Sequence, residues 1–458
     1  MGSIEKRTRY SAPVGSYFAS RSDCPWIESA GIENAPLLES LRGDQKADVV
    51  IIGGGYTGLS SALHIAERFP ERRIVLLEGT RVGYGASGRN CGLALPFTNG
   101  AEQAAHDLVE VGQLDEARRV FDVTSGGIAV IEDLVERRGL ACEWEPVETL
   151  VGALTTRHVA HLERDQQMYR SIGLESTWLT DSELRQRVDV PGYLGALSVP
   201  SSAMVNPAKL ATGLFDLARR AGVEVHEGSP VTDIDAGPTI RVGTPTGSVT
   251  APLAVLATNA YSGHLDFLRG RVLPITAFSI ASAPLTDAQI SSLSWSGRQP
   301  FLDTRMLFDL FRLTADNRVL LSGGNGFICT DGAAETEEGH PDYQRLEQRF
   351  RQLFPALKDV PITHRWAGHT GMTVDTKPII GAFGPDRNLL FAGGYSGHGV
   401  TVGVLAGQLL SDLVAGEPLD PAFDGIIDRK LPRVPTGRLL TPGFALAKRI
   451  IGWDDSRG

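Results

Sequence analysis

The chain sets short β-branched runs against longer stretches of helical period. After Asp48 the chain runs through Val49, Val50, Ile51 and Ile52 into glycines at Gly53, Gly55 and Gly58. Such a run predicts a strand buried on both faces. Leu59, Leu63 and Ala66 then recur at helical spacing until Pro70 stops the pattern. A second apolar run, Ile74–Leu77, ends in Glu78. The stretches 108–140 and 158–172 read as charged helices. Asn206 followed by Pro207 predicts a capped helix start. Strands are expected at 223–226 and 253–257. Residues 307–313 alternate as a strand, within a region, 263–362, that holds Phe278, Phe301, Phe308, Phe311 and Phe327. Residues 391–394 read as a strand, 395–399 as a turn and 400–414 as a helix.

Strand, glycines, helix, strand and acid, in that order, describe a unit that binds an adenine dinucleotide. Gly53 permits the tight turn, Gly55 lets the backbone approach a pyrophosphate, and Gly58 lets the helix sit close to the strand. Glu78 stands about twenty residues past the last glycine, where an acid accepts hydrogen bonds from the adenosine ribose. The next residues separate the possible dinucleotides. Residues 79–92 are glycine-rich a second time and carry Ser87, Arg89 and Asn90. A nicotinamide enzyme has no need of such a loop there. A flavin does, because its ribityl chain and ring system extend beyond the pyrophosphate and need close backbone approach and hydrogen-bonding side chains. FAD is the expected cofactor.

Four motifs carry a resemblance: Ile-Ile-Gly-Gly-Gly at 51–55, Leu-Leu-Glu-Gly at 76–79, Gly-Ala-Ser-Gly-Arg-Asn at 85–90 and Gly-Tyr-Ser-Gly-His-Gly-Val at 394–400. Together they resemble the D-amino-acid-oxidase-like superfamily of FAD-dependent oxidoreductases, nearest its γ-glutamylputrescine oxidase and glycine–sarcosine oxidase branch. The resemblance runs over residues 16–418. It implies an α/β fold (α+β overall), with a Rossmann-like FAD-binding domain of glutathione-reductase type. An antiparallel sheet of a substrate domain roofs the flavin. Both domains are expected to be discontinuous. Residues 47–100, 196–262 and 363–430 build the FAD-binding domain, and 101–195 and 263–362 the substrate domain. Residues 1–46 are expected as an arm on the outside and 431–458 as a tail.

By the same resemblance the cofactor meets Gly53, Gly55, Tyr56, Thr57, Gly58, Glu78, Gly79, Gly85, Ala86, Ser87, Arg89, Asn90, Cys91 and Gly92. Val231, Thr258 and Asn259 join them, as do Gly394, Ser396, Gly397, His398, Gly399, Val400 and Thr401. The last group opens a helix, whose N-terminal N–H groups carry roughly half a positive charge. Such an end stabilises negative charge on a reduced flavin. Three departures from relatives narrow the reading. Gly368 stands where sarcosine-oxidase-type relatives tether flavin through a cysteine, so FAD is expected to be non-covalent. Thr401 replaces a lysine that binds the substrate carboxylate. Between 263 and 362 the one lysine is Lys358, in a charged stretch, so oxygen activation by a roof lysine is not expected.

Candidate substrate-pocket residues are Tyr261, Phe308, Phe311, Arg312, Trp366, His369 and Thr370. Candidates for catalysis are His398, His369 and Arg312. Arg312 on an apolar strand suits an anionic substrate group, or an ion pair with Asp303 or Asp309. His398 suits a base, or a structural member of its turn. Phe308 and Phe311 have opposite strand parity, so at most one faces the flavin.

Composition changes the picture little. Hydrophobic content of 42% and charged content of 21% are those of a soluble globular chain, long enough for two domains. A net charge of −10 argues against nucleic acid as a partner. Cys24, Cys91, Cys142 and Cys329 lack metal-ligand or redox-pair spacing, so no metal is expected and the thiols suit a cytoplasm. No apolar run is long enough to span a bilayer. The stretch 444–453 is amphipathic and suits packing on the body, a subunit partner or a membrane surface.

The expected activity is FAD-dependent oxidation of a C–N bond in a small amine or amino-acid-like substrate, with oxygen or another carrier as acceptor. A dehydrogenase of the same bond, passing electrons to a quinone or carrier, is a second reading. A flavoprotein without catalysis is a third. The exact substrate and the oligomeric state stay open.

Overall fold

The computed structural model describes residues 23–96, 101–265, 267–295, 297–305, 307–323, 327–328, 340–434, 443–444 and 449. Its centre is a six-stranded sheet. The spatial order is Ile379–Phe383, Leu389–Gly393, Leu253–Leu256, Val49–Ile52, Ile74–Leu77 and Glu224–His226. Five strands run parallel, and only Ile379–Phe383 is antiparallel to its neighbour. The β-branched run explains its central place. Val49 and Ile51 face one hydrophobic cluster, with the helices Tyr56–Arg68, Pro207–Arg220 and Thr401–Ala415. Val50 and Ile52 face another, shared with a four-stranded sheet built from Gly43–Lys46, Gly247–Ala251, Ile240–Thr244 and Asp233–Asp235. Period two therefore buries the strand from both sides.

Local expectations at the helix ends hold. Asn206 accepts a hydrogen bond from the Lys209 amide at 3.1 Å, with Pro207 in the first turn. The first nucleotide helix stops at Arg68, with Phe69 as its cap before Pro70. The stretch 108–140 is not one helix but parts of three: Ala101–Glu110, Leu114–Thr124 and Gly126–Glu136.

The second large sheet has ten strands among the described residues. Leu273–Ser282 and Ile362–Met372 pair antiparallel at one end. Asp309–Leu313 lies near the middle, and Glu145–Ala153 and Gly195–Met204 follow. The expected roof is thus present, with one parallel pairing, Phe301–Asp303 against Glu145–Ala153. Helix Pro341–Leu353 covers one face through Phe350 and Leu353, alongside Phe354 and Trp295.

Two boundaries shift. Gly195–Met204 and Ile362–Met372 belong to the roofing sheet, so the breaks expected at 196 and 363 move to the far ends of those strands. The arm is not wholly on the outside either. Cys24, Trp26 and Ile27 are buried and pack with Tyr84 and Leu93, beside the cofactor loop. Hydrophobic side chains drew this segment inward. Residues 1–22, Cys329 and most of 444–453 lie outside the described residues.

Candidate active site

The nucleotide end is built from backbone. Gly53 has φ of +108°, and a β-carbon there would lie 2.7 Å from the Ala257 carbonyl oxygen. A β-carbon on Gly58 would lie 1.9 Å from the Gly53 carbonyl oxygen. Only glycine lets strand and helix meet this closely. Glu78 ends the second strand with its carboxylate turned toward the glycine turn. It accepts from the Gly54 amide at 2.7 Å and the Thr80 amide at 2.9 Å. Burial pushes its pKa up, while those two amides hold it down. A carboxylate offers about four lone-pair sites, so these two amides and the Thr80 hydroxyl at 3.3 Å leave capacity for one further donor such as a ribose hydroxyl. The glycine cradle, the buried acid and the facing helix N-terminus fit an adenine dinucleotide.

Several predicted cofactor residues also make bonds within the protein. Tyr56 is buried, and its hydroxyl donates to the Pro207 carbonyl at 2.9 Å. Its backbone amide donates to Ser87 Oγ at 2.9 Å and its hydroxyl accepts from Asn90 Nδ2 at 3.3 Å, so Tyr56 meets the loop through both main chain and side chain. The Thr57 and Tyr395 hydroxyls pair at 2.6 Å, joining the first nucleotide helix to the flavin-end turn. Arg89 is buried, stacked on Tyr84 and bonded to the carbonyls of Tyr84 at 2.8 Å and Ala367 at 3.2 Å. Asn90 folds back on its own turn, taking the Gly92 amide at 2.8 Å. Asn259 accepts from the Gly394 amide at 2.9 Å, and Thr258 pairs with Ser262. Gly79 borders an open cleft, Gly85 and Ala86 begin the short turn through Arg89, and Val231 is half-buried beside the four-stranded sheet.

Arg312 corrects the sequence reading most clearly. It is 2% exposed, and its Nη1 donates to the carbonyls of Cys91 at 3.2 Å, Gly92 at 2.6 Å and Val205 at 3.0 Å. Burial pulls its pKa down to about 10. Neither Asp303 nor Asp309 is its partner. Those carboxylates bind Arg305, and Asp309 also binds Arg349. Arg312 instead fastens the roofing sheet to the end of the cofactor loop. Phe311 is core, stacked on Phe301 at 4.6 Å between centroids. Trp366 is also core, its indole N–H bonded to the Arg89 carbonyl at 2.8 Å. Phe308 is the exposed member of the pair and precedes the strand rather than lying in it.

His369 and Tyr261 do come together, with ring centroids 6.1 Å apart and edge-to-face geometry. Thr276, from the neighbouring strand, pairs with His369 Nδ1 at 2.9 Å. Burial, and then the Arg89 charge, push the His369 pKa down to about 4. His264 stands 6.2 Å from Tyr261, and burial followed by His369 brings it to about 4 as well. Thr370 is half-buried in the same strand as His369.

At the flavin end, Ser396 has φ of +49° and Gly397 of +105°. The Ser396 amide donates to the Gly371 carbonyl, tying this turn to the roofing sheet. His398 Nδ1 is buried without a hydrogen-bond partner. Burial takes its pKa to about 4, and the Ser396 backbone opposes that less strongly. Val400 caps helix Thr401–Ala415, and the Thr401 hydroxyl donates to the Leu95 carbonyl at 3.1 Å. Gly368 has no side chain, and a β-carbon there would meet Arg89 at 3.4 Å.

Sequence reasoning missed Thr276, His264 and Glu227. Glu227 had a signal: it directly follows the strand Glu224–His226 as Glu78 directly follows Ile74–Leu77. Thr276 and His264 gave none, since each sits in an ordinary strand or turn.

A family model for FAD dependent oxidoreductases matches residues 48–413. The chain is 33% identical over 411 residues to gamma-glutamylputrescine oxidoreductase of Escherichia coli K12, spanning 89% of this chain and 92% of that one. It is 30% identical over 404 residues to a probable oxidoreductase of Haemophilus influenzae, spanning 86% and 89%. A solved glycine oxidase from Geobacillus kaustophilus superposes with a TM-score of 0.68 at 21% identity, over 85% of this chain and all of that one. An L-α-glycerophosphate oxidase from Mycoplasma pneumoniae, solved with FAD bound, has the same fold (TM-score 0.64, 16% identity, 86% of this chain and 97% of that one). No helix among the described residues is long and apolar enough to cross a membrane.

Proposed function

The chain belongs to the FAD-dependent oxidoreductase family, and from that premise we propose that it oxidises a C–N bond in an amine of the γ-glutamylputrescine kind. The observation that carries this reading is the 33% identity over nearly the whole chain to gamma-glutamylputrescine oxidoreductase. FAD, held without a covalent bond, supplies the two-electron acceptor; the amine becomes an imine, and water hydrolyses it to a carbonyl and a free amine or ammonia. Gly53–Gly58 and Glu78 would hold the adenosine and pyrophosphate, and the turn 396–399 the flavin end.

The reaction needs the neutral amine, because an ammonium has no lone pair to expel hydride. A wall of Tyr261 and His369, with buried Thr276 behind His369, suits that need. His369 stays uncharged above about pH 4, so it adds no cation and can accept a hydrogen bond from the amine. Thr401 has its hydroxyl on Leu95 and is buried, so it offers no cation to an α-carboxylate. This favours an ω-amine over a simple α-amino acid.

The test is an anaerobic screen of amines against the yellow holoprotein, watching the oxidised flavin band. Bleaching by γ-glutamylated diamines or other ω-amines supports the reading. Bleaching by α-amino acids alone, or by none, removes it. Mixing the reduced protein with air then separates oxidase from dehydrogenase by the rate of flavin reoxidation.

A further inference from the structure

Glu227 is 7% exposed. One of its carboxylate oxygens accepts from the Val82 amide at 2.8 Å, and the other from the Leu38 amide at 3.0 Å. Val82 lies in the loop that leaves Glu78, and Leu38 lies in the N-terminal arm. One buried carboxylate thus ties the arm to the cofactor loop. Neighbouring bonds repeat the connection. Arg81 donates to the carbonyls of Ile32 at 3.1 Å and Ala35 at 2.7 Å. The Tyr84 hydroxyl donates to Glu33 at 2.9 Å. The Leu41 amide donates to Ser229 Oγ at 2.9 Å, and that hydroxyl donates to the Glu227 carbonyl.

These bonds border an open space. A cleft of about 670 Å³ lies between arm and loop, lined by Glu33 and Leu37 on the arm, by Gly79, Thr80 and Tyr84 on the loop, and by Gly228. Its volume is within the range of small-molecule sites. Gly79 and Thr80 directly follow Glu78, the acid placed to meet the ribose. A buried carboxylate is costly unless its hydrogen bonds are made, so both amide bonds are needed to hold Glu227 in place.

We propose that arm residues 33–38 form an outer wall of the adenosine half of the FAD site, and that Glu227 is the residue that positions this wall. The wall belongs to the N-terminal arm, which the dinucleotide motif does not include. Glu227 acts through Val82 and Leu38 and need not touch the cofactor itself.

Two full-chain variants test this from opposite sides. Glu227→Gln turns one acceptor into a donor facing an N–H. Leu38→Pro removes the arm's N–H and leaves Glu227 intact. Holoprotein is diluted, and FAD release is followed by the return of flavin fluorescence. FAD-stripped full chain is then titrated with ADP-ribose, which carries the adenosine and pyrophosphate but no flavin. In both variants FAD release should quicken by roughly ten- to a hundred-fold, the scale of a lost hydrogen bond to a charged group. ADP-ribose affinity should fall by a similar factor, with the melting temperature of the stripped chain little changed. Release and affinity within twofold of the parent would overturn the proposal. So would weakening toward FAD but not ADP-ribose, which would put the wall elsewhere. Loss of fold in both stripped variants would overturn it too, by making the tie a folding element rather than a wall.

Discussion

The cofactor loop and the roofing sheet build their parts of the site by opposite means. In the loop the main chain makes the contacts: glycine turns, the amides that meet Glu78, and the amide of Tyr56. In the roofing sheet side chains make them, and which side chain faces the cavity depends on the packing of a ten-stranded sheet. Phe311, Arg312 and Trp366 all looked like pocket residues and are all buried. Main-chain function leaves a trace in the sequence, because only glycine fits certain positions. Side-chain function on a strand leaves little, since a buried aromatic and a pocket aromatic are spelled alike.

The largest expected effect tests the loop. Gly58→Val would press a side chain against the Gly53 carbonyl, a backbone atom that cannot step aside. The purified variant should be colourless or fail to fold, and an FAD content equal to the parent's would show that strand and helix are not so close.

Arg312→Met tests the sheet. It leaves the carbonyls of Cys91, Gly92 and Val205 without their shared donor, and should lower stability by roughly 2–4 kcal/mol. Activity per molecule of FAD-loaded protein should survive. Denaturant melts together with KM for an anionic and a neutral amine decide the matter. Unchanged stability with a KM raised only for the anionic amine would restore Arg312 to the pocket.

A pH series adds a finer cut. His369 and His398 titrate near 4 in the folded chain and near 6.5 when unfolded. Between these values the unfolded state binds more protons, so stability should fall as pH drops from about 6.5 toward 4, by on the order of 2–3 kcal/mol for each histidine. His398→Leu should flatten part of that slope in thermal melts; an unchanged slope would mean that its imidazole is not held neutral.

The smallest effect comes from Thr276→Val, which removes the partner of His369 Nδ1. The loss should be about 1 kcal/mol in kcat/KM, with melting temperature nearly constant. No kinetic change would leave Tyr261 and His369 as packing alone.

The parts legible in the sequence were those fixed by local rules. The strand 49–52, its glycines, Glu78 and the Asn206 cap each follow from short-range chemistry. The two domain boundaries misread were strands that join a sheet far away in sequence, and no local pattern says which sheet a strand joins. Arg312 was misread for a related reason: its partners are carbonyls, and carbonyls have no signature in a sequence. Glu227 was overlooked because an acid ending a short strand resembles a solvated one until the arm is seen to cover it.

The Arg312 tie also bears on the order of assembly. It joins residues 221 positions apart in the case of Cys91 and 220 in the case of Gly92. Contacts across such long loops form late, after the intervening chain has closed. The cofactor loop can therefore reach its final shape only when the roofing sheet arrives, although its own motif is complete within the first hundred residues. A chain still being synthesised would pass through a stage in which its glycine turn and the first strands of its nucleotide sheet exist but grip flavin poorly. Refolding in the presence of FAD should accordingly show secondary structure returning first and flavin quenching only in the slowest phase.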